Sequence, residues 1–204
     1  MFLSIRVVSV GVLIGLPLAV TAGWVLARSR WRGKWILDIV ISLPLVMPPV
    51  VIGYAVLIVL GRASPLGAFL NRLGVQFVFT WGAAALAAGL VAFPLMARTI
   101  EVAFTSVDIK LEKAAKTLGV SPLGVFRTIT MPLASRGILA GTVLGFARGL
   151  GEFGATVVVA GNIPDRTQTL PLAIFTQLQI GDDIGAIRLI SLSFALALIA
   201  LIIH

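Results

Sequence analysis

The chain has 204 residues, 59% of them hydrophobic and 12% charged, with a formal net charge of +8 and a mean hydropathy of +1.09. Soluble globular chains carry about twice that share of charge, so a water-soluble core enzyme is excluded. The absence of cysteine removes disulfides, thiolate metal centres and cysteine nucleophiles, and a single histidine, His204, leaves no zinc-histidine site or Ser–His–Asp triad. No G-x-x-x-x-G-K-[ST] loop occurs. The basic excess reads as the cytoplasmic loops of a membrane protein and not as a nucleic-acid surface.

Five apolar segments are predicted to be membrane-spanning helices: 7–27, 35–60, 78–97, 138–159 and 187–203. The last is short in its purely apolar part, which starts at Leu189. Either Arg188 snorkels and the helix starts earlier, or the chain is cut short at its C-terminus. The lack of a charged stop after Ile203 favours the cut. The loops alternate in charge. Arg28, Arg30, Arg32 and Lys34 follow the first segment, and Arg62 and Arg72 follow the second. A strongly basic stretch, 98–136, follows the third, and the loop after the fourth holds Arg166 among Asp165, Asp182 and Asp183. The positive-inside rule puts the N-terminus outside and the C-terminus in the cytoplasm of a multi-pass protein. Trp24, Trp31 and Trp35 flank the first basic loop, where interfacial tryptophans belong. Within the outer loop, 170–180 is too short to span and is expected to be an interfacial or re-entrant helix.

Three places carry chemistry. In 108–133, Leu111, Ala114, Ala115 and Leu118 share one helical face, with Lys110, Lys113 and Lys116 largely away from it. Gly119 is placed to stop that helix, and Ser121 and Pro122 to start the next as N-cap and N1, giving two short helices in an L. Composition alone fits a docking surface or an amphipathic loop on the bilayer equally well. In the second segment, Pro44, Pro48 and Pro49 each remove a helical hydrogen bond, which marks either a pathway or gate or a packing kink. In the fourth, glycines at 137, 141, 145 and 149 form a close-packing stripe, better suited to contacts inside the subunit than to a dimer seam. Arg148 lies deep in the same segment, one turn before Glu152. A charge there rarely faces lipid. The pair is either a positive element near an oxyanion path or, the favoured reading, a buried structural pair.

The spacing Glu112-x-Ala114-Ala115, Gly119, Ile129-x-Met131-Pro132 resembles the E-x-A-A-x-x-x-G, nine residues, I-x-L-P signature of the inner-membrane permeases of binding-protein-dependent ABC transporters. Met131 stands where that pattern has leucine. The resemblance implies that Glu112, Ala114, Ala115 and Gly119 belong to coupling helices seated in a separate ATP-hydrolysing subunit, with Ile129 and Pro132 framing the next span. It covers nearly the whole chain. Ser42 to Tyr54 and Phe146 to Thr156 are similar to molybdate permeases, while sulfate and thiosulfate permeases share the Leu-Gly-Glu-Phe-Gly core and the Gly161-Asn162 pair.

The implied protein is one all-α transmembrane domain over 1–204, with about five spans and the coupling loop at 98–136. It is a homodimer in the bacterial plasma membrane, working with two ATP-binding cassette subunits and an extracytoplasmic molybdate-binding protein. ATP and magnesium belong to the cassette partner, and the permease binds no cofactor and catalyses nothing. Tungstate or sulfate are the alternative cargoes. An ion-coupled carrier using Asp38, Arg148 and Glu152 is the other class to weigh.

Overall fold

The computed structural model describes residues 2–29 and 31–203. Arg30 of the first basic loop and the lone histidine at 204 lie outside the described residues. The described chain is helical, with no strand among the described residues. In order, the helices are α1 (Phe2–Arg28), α2 (Lys34–Val46), α3 (Pro49–Leu60), α4 (Pro65–Arg72), α5 (Trp81–Ser106), α6 (Ile109–Thr117), α7 (Pro122–Val125), α8 (Met131–Leu150), α9 (Gly154–Ala160), α10 (Leu170–Ile180) and α11 (Asp183–Ile203).

α5 is the hub. Thr80 caps its start, accepting a hydrogen bond from the Ala83 amide at 3.3 Å. Its first half is rich in alanine, and the helix is buried against α1 and, through Met96, Ile100 and Ala103 of its second half, against α8. Apolar side chains gain little by leaving lipid for one another, so close backbone approach must supply the attraction. Gly11 of α1 lies directly on the Ala85 carbonyl and the Gly89 backbone. The α8 stripe works in the same way: Gly137 faces Ala103, Gly141 and Gly145 face Met96, and Gly149 faces Val8 of α1. The stripe is therefore occupied inside the subunit.

Several helix extents differ from the sequence expectation. The 35–60 segment is two helices, α2 and α3, bent by 112°. Met47 (ψ 138°) and Pro48 (ψ 133°) are both extended, because a residue preceding proline is pushed out of the α region. Two prolines in succession apply that push twice. The 138–159 segment is also broken, ending α8 at Leu150 and restarting as α9 at Gly154. The 98–136 loop shrinks at both ends, since 98–106 belong to α5 and 131–136 to α8. The fifth segment begins at Asp183, so Arg188 lies within α11. Among the described residues, α1, α5 and the run Pro122–Leu150 are long and apolar enough to cross a membrane, and the α2–α3 pair is so only when its two bent arms are taken together, as a broken span or a re-entrant loop. α11 adds a 21-residue apolar helix.

The 170–180 helix is present as α10, but it is tied into the fold instead of lying apart. Its first amide donates to the buried Ser4 hydroxyl at 2.7 Å, and Leu170 and Leu172 are buried. Nearby, the Arg6 guanidinium lies 4.0 Å over the Trp81 ring, joining the start of α1 to the start of α5.

The α1–α5 seam gives a direct test. A side chain at Gly11 must displace backbone, whereas a Cβ at Gly82 meets its nearest atom only at 3.5 Å. Gly11→Ile is expected to lower the thermal unfolding midpoint in detergent, by an overpacking penalty of about 1–3 kcal/mol. Gly82→Ala is expected to unfold like the parent.

Candidate functional site

The loop between α5 and α8 forms an elbow. Asp108 caps α6, accepting from the Lys110 amide at 2.8 Å. Gly119 ends the helix with φ +83°, a conformation that favours glycine. Ser121 then caps α7, accepting from the Gly124 amide at 3.1 Å. The second arm differs from the expected separate short helix. α7 runs on through a π-helical turn, Phe126–Thr130, into α8. The cause is Pro132: it has no N–H for the carbonyl one turn back. The helix widens just before it, with the Met131 amide reaching the Phe126 carbonyl five residues back. Ile129 sits in this widened turn, half-buried, and Pro132 is exposed at the start of α8.

The motif residues divide into two sets. Ala115 is buried, and Glu112 points inward. The Glu112 Oε1 accepts from Arg28 Nη2 at 2.9 Å, Arg28 Nε at 3.1 Å and the Thr130 hydroxyl at 2.9 Å. Arg28 Nη2 also donates to the Val107 carbonyl at 2.8 Å. The carboxylate thus fastens α6 to the end of α1 and to the start of the α8 rod, and with side chains 12% and 14% exposed the pair is well shielded. The other set faces out. Ala114 and Gly119 are exposed, and Leu118 is 84% exposed beside exposed Leu111 and Leu123. Leu111, Ala114 and Leu118 therefore do not share a buried face with Ala115.

The two helix breaks come together. Gly154 at the start of α9 lies against Pro49 and Val50 at the start of α3, and Gly53 lies on the Ala155 backbone. Glu152 sits in the second break, 2% exposed. Its Oε1 accepts from the Ala155 amide at 2.9 Å, capping α9, and its Oε2 accepts from Arg148 Nη1 at 3.1 Å. Arg148 is 37% exposed and has no other polar partner among the described residues. Across the α3–α9 contact Pro49 thus adjoins the break that holds Glu152, with Pro48 just before it as the N-cap of α3, while Pro44 stays inside α2, one turn before the bend.

This arrangement was compared with known proteins. The family model described as "binding-protein-dependent transport system inner membrane component" matches residues 15–204. The chain belongs to that family. The permease is 49% identical over 203 residues to the molybdenum transport system permease protein ModB of Escherichia coli K12, covering 98% of this chain and 89% of that one. The sulfate transport system permease protein CysT of Salmonella typhimurium is more distant, at 34% identity over 87% of this chain and 64% of that one. A chain from the crystal structure of an amino acid ABC transporter with histidines shares the fold with a TM-score of 0.67 at 17% identity, over 98% of this permease and 86% of that chain.

One cluster escaped sequence reasoning. Arg98, expected in the loop, lies in α5, where it pairs with Asp38 of α2 at 2.6 Å and with Glu101 at 2.8 Å and donates to the Ser42 hydroxyl. Asp38 is therefore part of a latch holding α2 to α5, and not of a relay with Arg148 and Glu152. The Arg28 and Thr130 partners of Glu112 were missed as well, because nothing local in the sequence links it to residues 84 and 18 positions away.

Glu152 does two separable things. Glu152→Gln keeps an oxygen for the Ala155 amide and removes the charge. Glu152→Ala removes both and leaves Arg148 unpaired. The glutamine variant is expected to reach the membrane and unfold near the parent's midpoint. The alanine variant is expected to lose about 1–3 kcal/mol for the unsatisfied group, read as a lower melting midpoint in detergent.

Proposed function

We propose that this chain is the membrane-spanning subunit of an ATP-driven importer that carries molybdate into the cytoplasm. The observation that carries the reading is the 49% identity to a molybdenum transport system permease over 98% of the chain. Tungstate, a dianion of the same shape and charge, is the cargo hardest to separate from it, and sulfate is the next.

The rest of the assembly follows from the family and the geometry. Two copies of the permease form a homodimer. The apolar residues left exposed on α2 and α3, among them Val46, Val50 and Tyr54, suit a face that meets a second copy. The basic elbow faces the cytoplasm, with the N-terminus outside and the C-terminus inside. Two cassette subunits, which hold ATP and magnesium, receive the elbow tip at Leu111, Ala114, Leu118 and Gly119. An extracytoplasmic protein delivers the anion.

The permease converts movement at the tip into movement at the breaks. Glu112 ties α6 to α1 and α8, so a pull on the elbow is passed to both helices. α8 ends at Arg148 and at the Glu152 cap of α9, which packs on the α3 start at Pro49. Pro44, Pro48, Pro49, Arg148 and Glu152 form the gate region. Bistable packing of this kind switches between arrangements and does not flex continuously. Glu112, Ala115, Ile129 and Pro132 hold the elbow's shape, while Ala114 and Gly119 present its surface.

Proteoliposomes holding the permease, its cassette partner and its binding protein are expected to take up labelled molybdate only with internal ATP, even under excess sulfate. Suppression by sulfate would move the cargo to sulfate and leave the mechanism intact. Uptake driven by an ion gradient without ATP would overturn both. A second expectation concerns Gly119. A Cβ there meets nothing within 4 Å, so Gly119→Asp does not clash inside the subunit. Its φ of +83° strains an L side chain all the same, so uptake is expected to fall roughly tenfold or more through the turn and the docking surface together, while the variant still inserts in the membrane. Normal uptake would sink the role of the tip.

A further inference from the structure

Two cavities meet at the junction of α1 with the elbow. One, about 610 Å³, lies under α6 and is lined by Arg28, Ser29, Lys113 and Lys116. The other, about 720 Å³, is a groove along α1 and α8 lined by Leu16, Val20, Met131 and Ile138. They share Trp24, Pro122 and Phe126 as a common wall. Trp24 packs edge-on to Phe126 at 5.7 Å between ring centroids. An apolar groove therefore runs up α1 and opens, past a tryptophan, into a basic pocket.

The charge in that pocket is not compensated from within. Glu112 already accepts from Arg28 and Thr130. Lys113 and Lys116 form no ion pair among the described residues. In the groove, the Thr21 hydroxyl is satisfied by the Pro17 carbonyl at 2.8 Å, so its wall offers nothing polar to a guest. Leu16 to Trp24 covers roughly 12 Å of helix axis at 1.5 Å per residue, a length matching part of an acyl chain. An apolar channel below and unpaired cations above, with an interfacial tryptophan between them, is the pattern of an anionic lipid and not of a peptide.

We propose that one anionic phospholipid of the inner leaflet occupies this site, its phosphate against Lys113 and Lys116 and one acyl chain along Leu16, Val20 and Ile138. The assignment rests on the orientation given above, which puts the elbow on the cytoplasmic side. The lipid bridges α1, α6 and α8 at the point where Glu112 fastens them. It is a second, membrane-supplied clamp on the elbow.

The permease–cassette complex is purified in detergent and incubated with phosphatidylglycerol or phosphatidylcholine of matched chains, and retained lipid is counted by native mass spectrometry. One phosphatidylglycerol per permease subunit is expected, with phosphatidylcholine retained far less. Lys113→Gln with Lys116→Gln is expected to cut retention roughly tenfold or more. Both lysines are exposed, so the change leaves the fold intact. Lys110→Gln, outside the cavity, is expected to change nothing. Val20→Trp, which fills the groove, is expected to remove the lipid although every cation remains. Equal retention of the two lipids, retention unaffected by the double substitution, or no lipid in the assembled complex would each overturn the proposal. The readout is lipid mass, so failure here is distinguishable from failure of the transport reading.

Discussion

α5 can serve as a hub because its flanks are nearly flat. Alanine and glycine let α1 approach until backbone touches backbone, at Gly11 on Ala85 and Gly89, and the glycines of α8 make room for Met96, Ile100 and Ala103 of α5. In a bilayer this contact replaces the hydrophobic drive that packs soluble helices. With α1, α5 and α8 joined in this way, the irregular parts can be irregular. The two breaks and the elbow all hang from this core.

Charge placement follows the same division. Glu112, Glu152 and Arg98 sit where helices begin, end or cross, and each holds more than one partner. Glu152 shows why a carboxylate is kept at such cost in a membrane segment. The chain breaks at 151–153, which exposes the amides at the start of α9. A buried acceptor satisfies one of them, and Arg148 balances its charge. Capping is a role for Glu152 that spacing alone did not suggest.

Local devices were legible in the sequence. Gly119, Ser121 and Pro122 do what their types dictate, and the Pro48-Pro49 step breaks the helix for a purely steric reason. The quartet Ser-Pro-Leu-Gly at 121–124 occurs again at 64–67 and starts α4 in the same way, Ser64 accepting from the Gly67 amide at 2.8 Å. That second helix was readable by the same rule and went unread because its loop looked empty. The continuity of α7 with α8 was not legible. A proline usually signals a start, and only the π-helical turn shows how the chain passes it. Arg98 was misplaced because a hydropathy window ends a span at the first charge, whereas a charge paired across helices can lie within one. The Glu112–Arg28 fastening joins distant parts of the chain and leaves no periodic trace. The prolines and the charged pair could be named, but not that Gly154 of the second break packs on Pro49 of the first.

The continuous run from Pro122 to Leu150 is 29 residues, roughly 43 Å at the α-helical rise. It behaves as a beam. Near one end is the elbow, at the other the Arg148–Glu152 pair, and between them the glycine stripe rests on α5 as on a bearing. A tilt of about 10° about one end of such a beam sweeps the other by roughly 7 Å, more than one helical turn of rise. The bearing is notched and not smooth: the buried side chains of Met96 and Ile100 sit in the gaps left by Gly141 and Gly145. A sweep of the beam therefore carries α5 with it, and the glycines that pack the subunit most tightly also make its helices turn together.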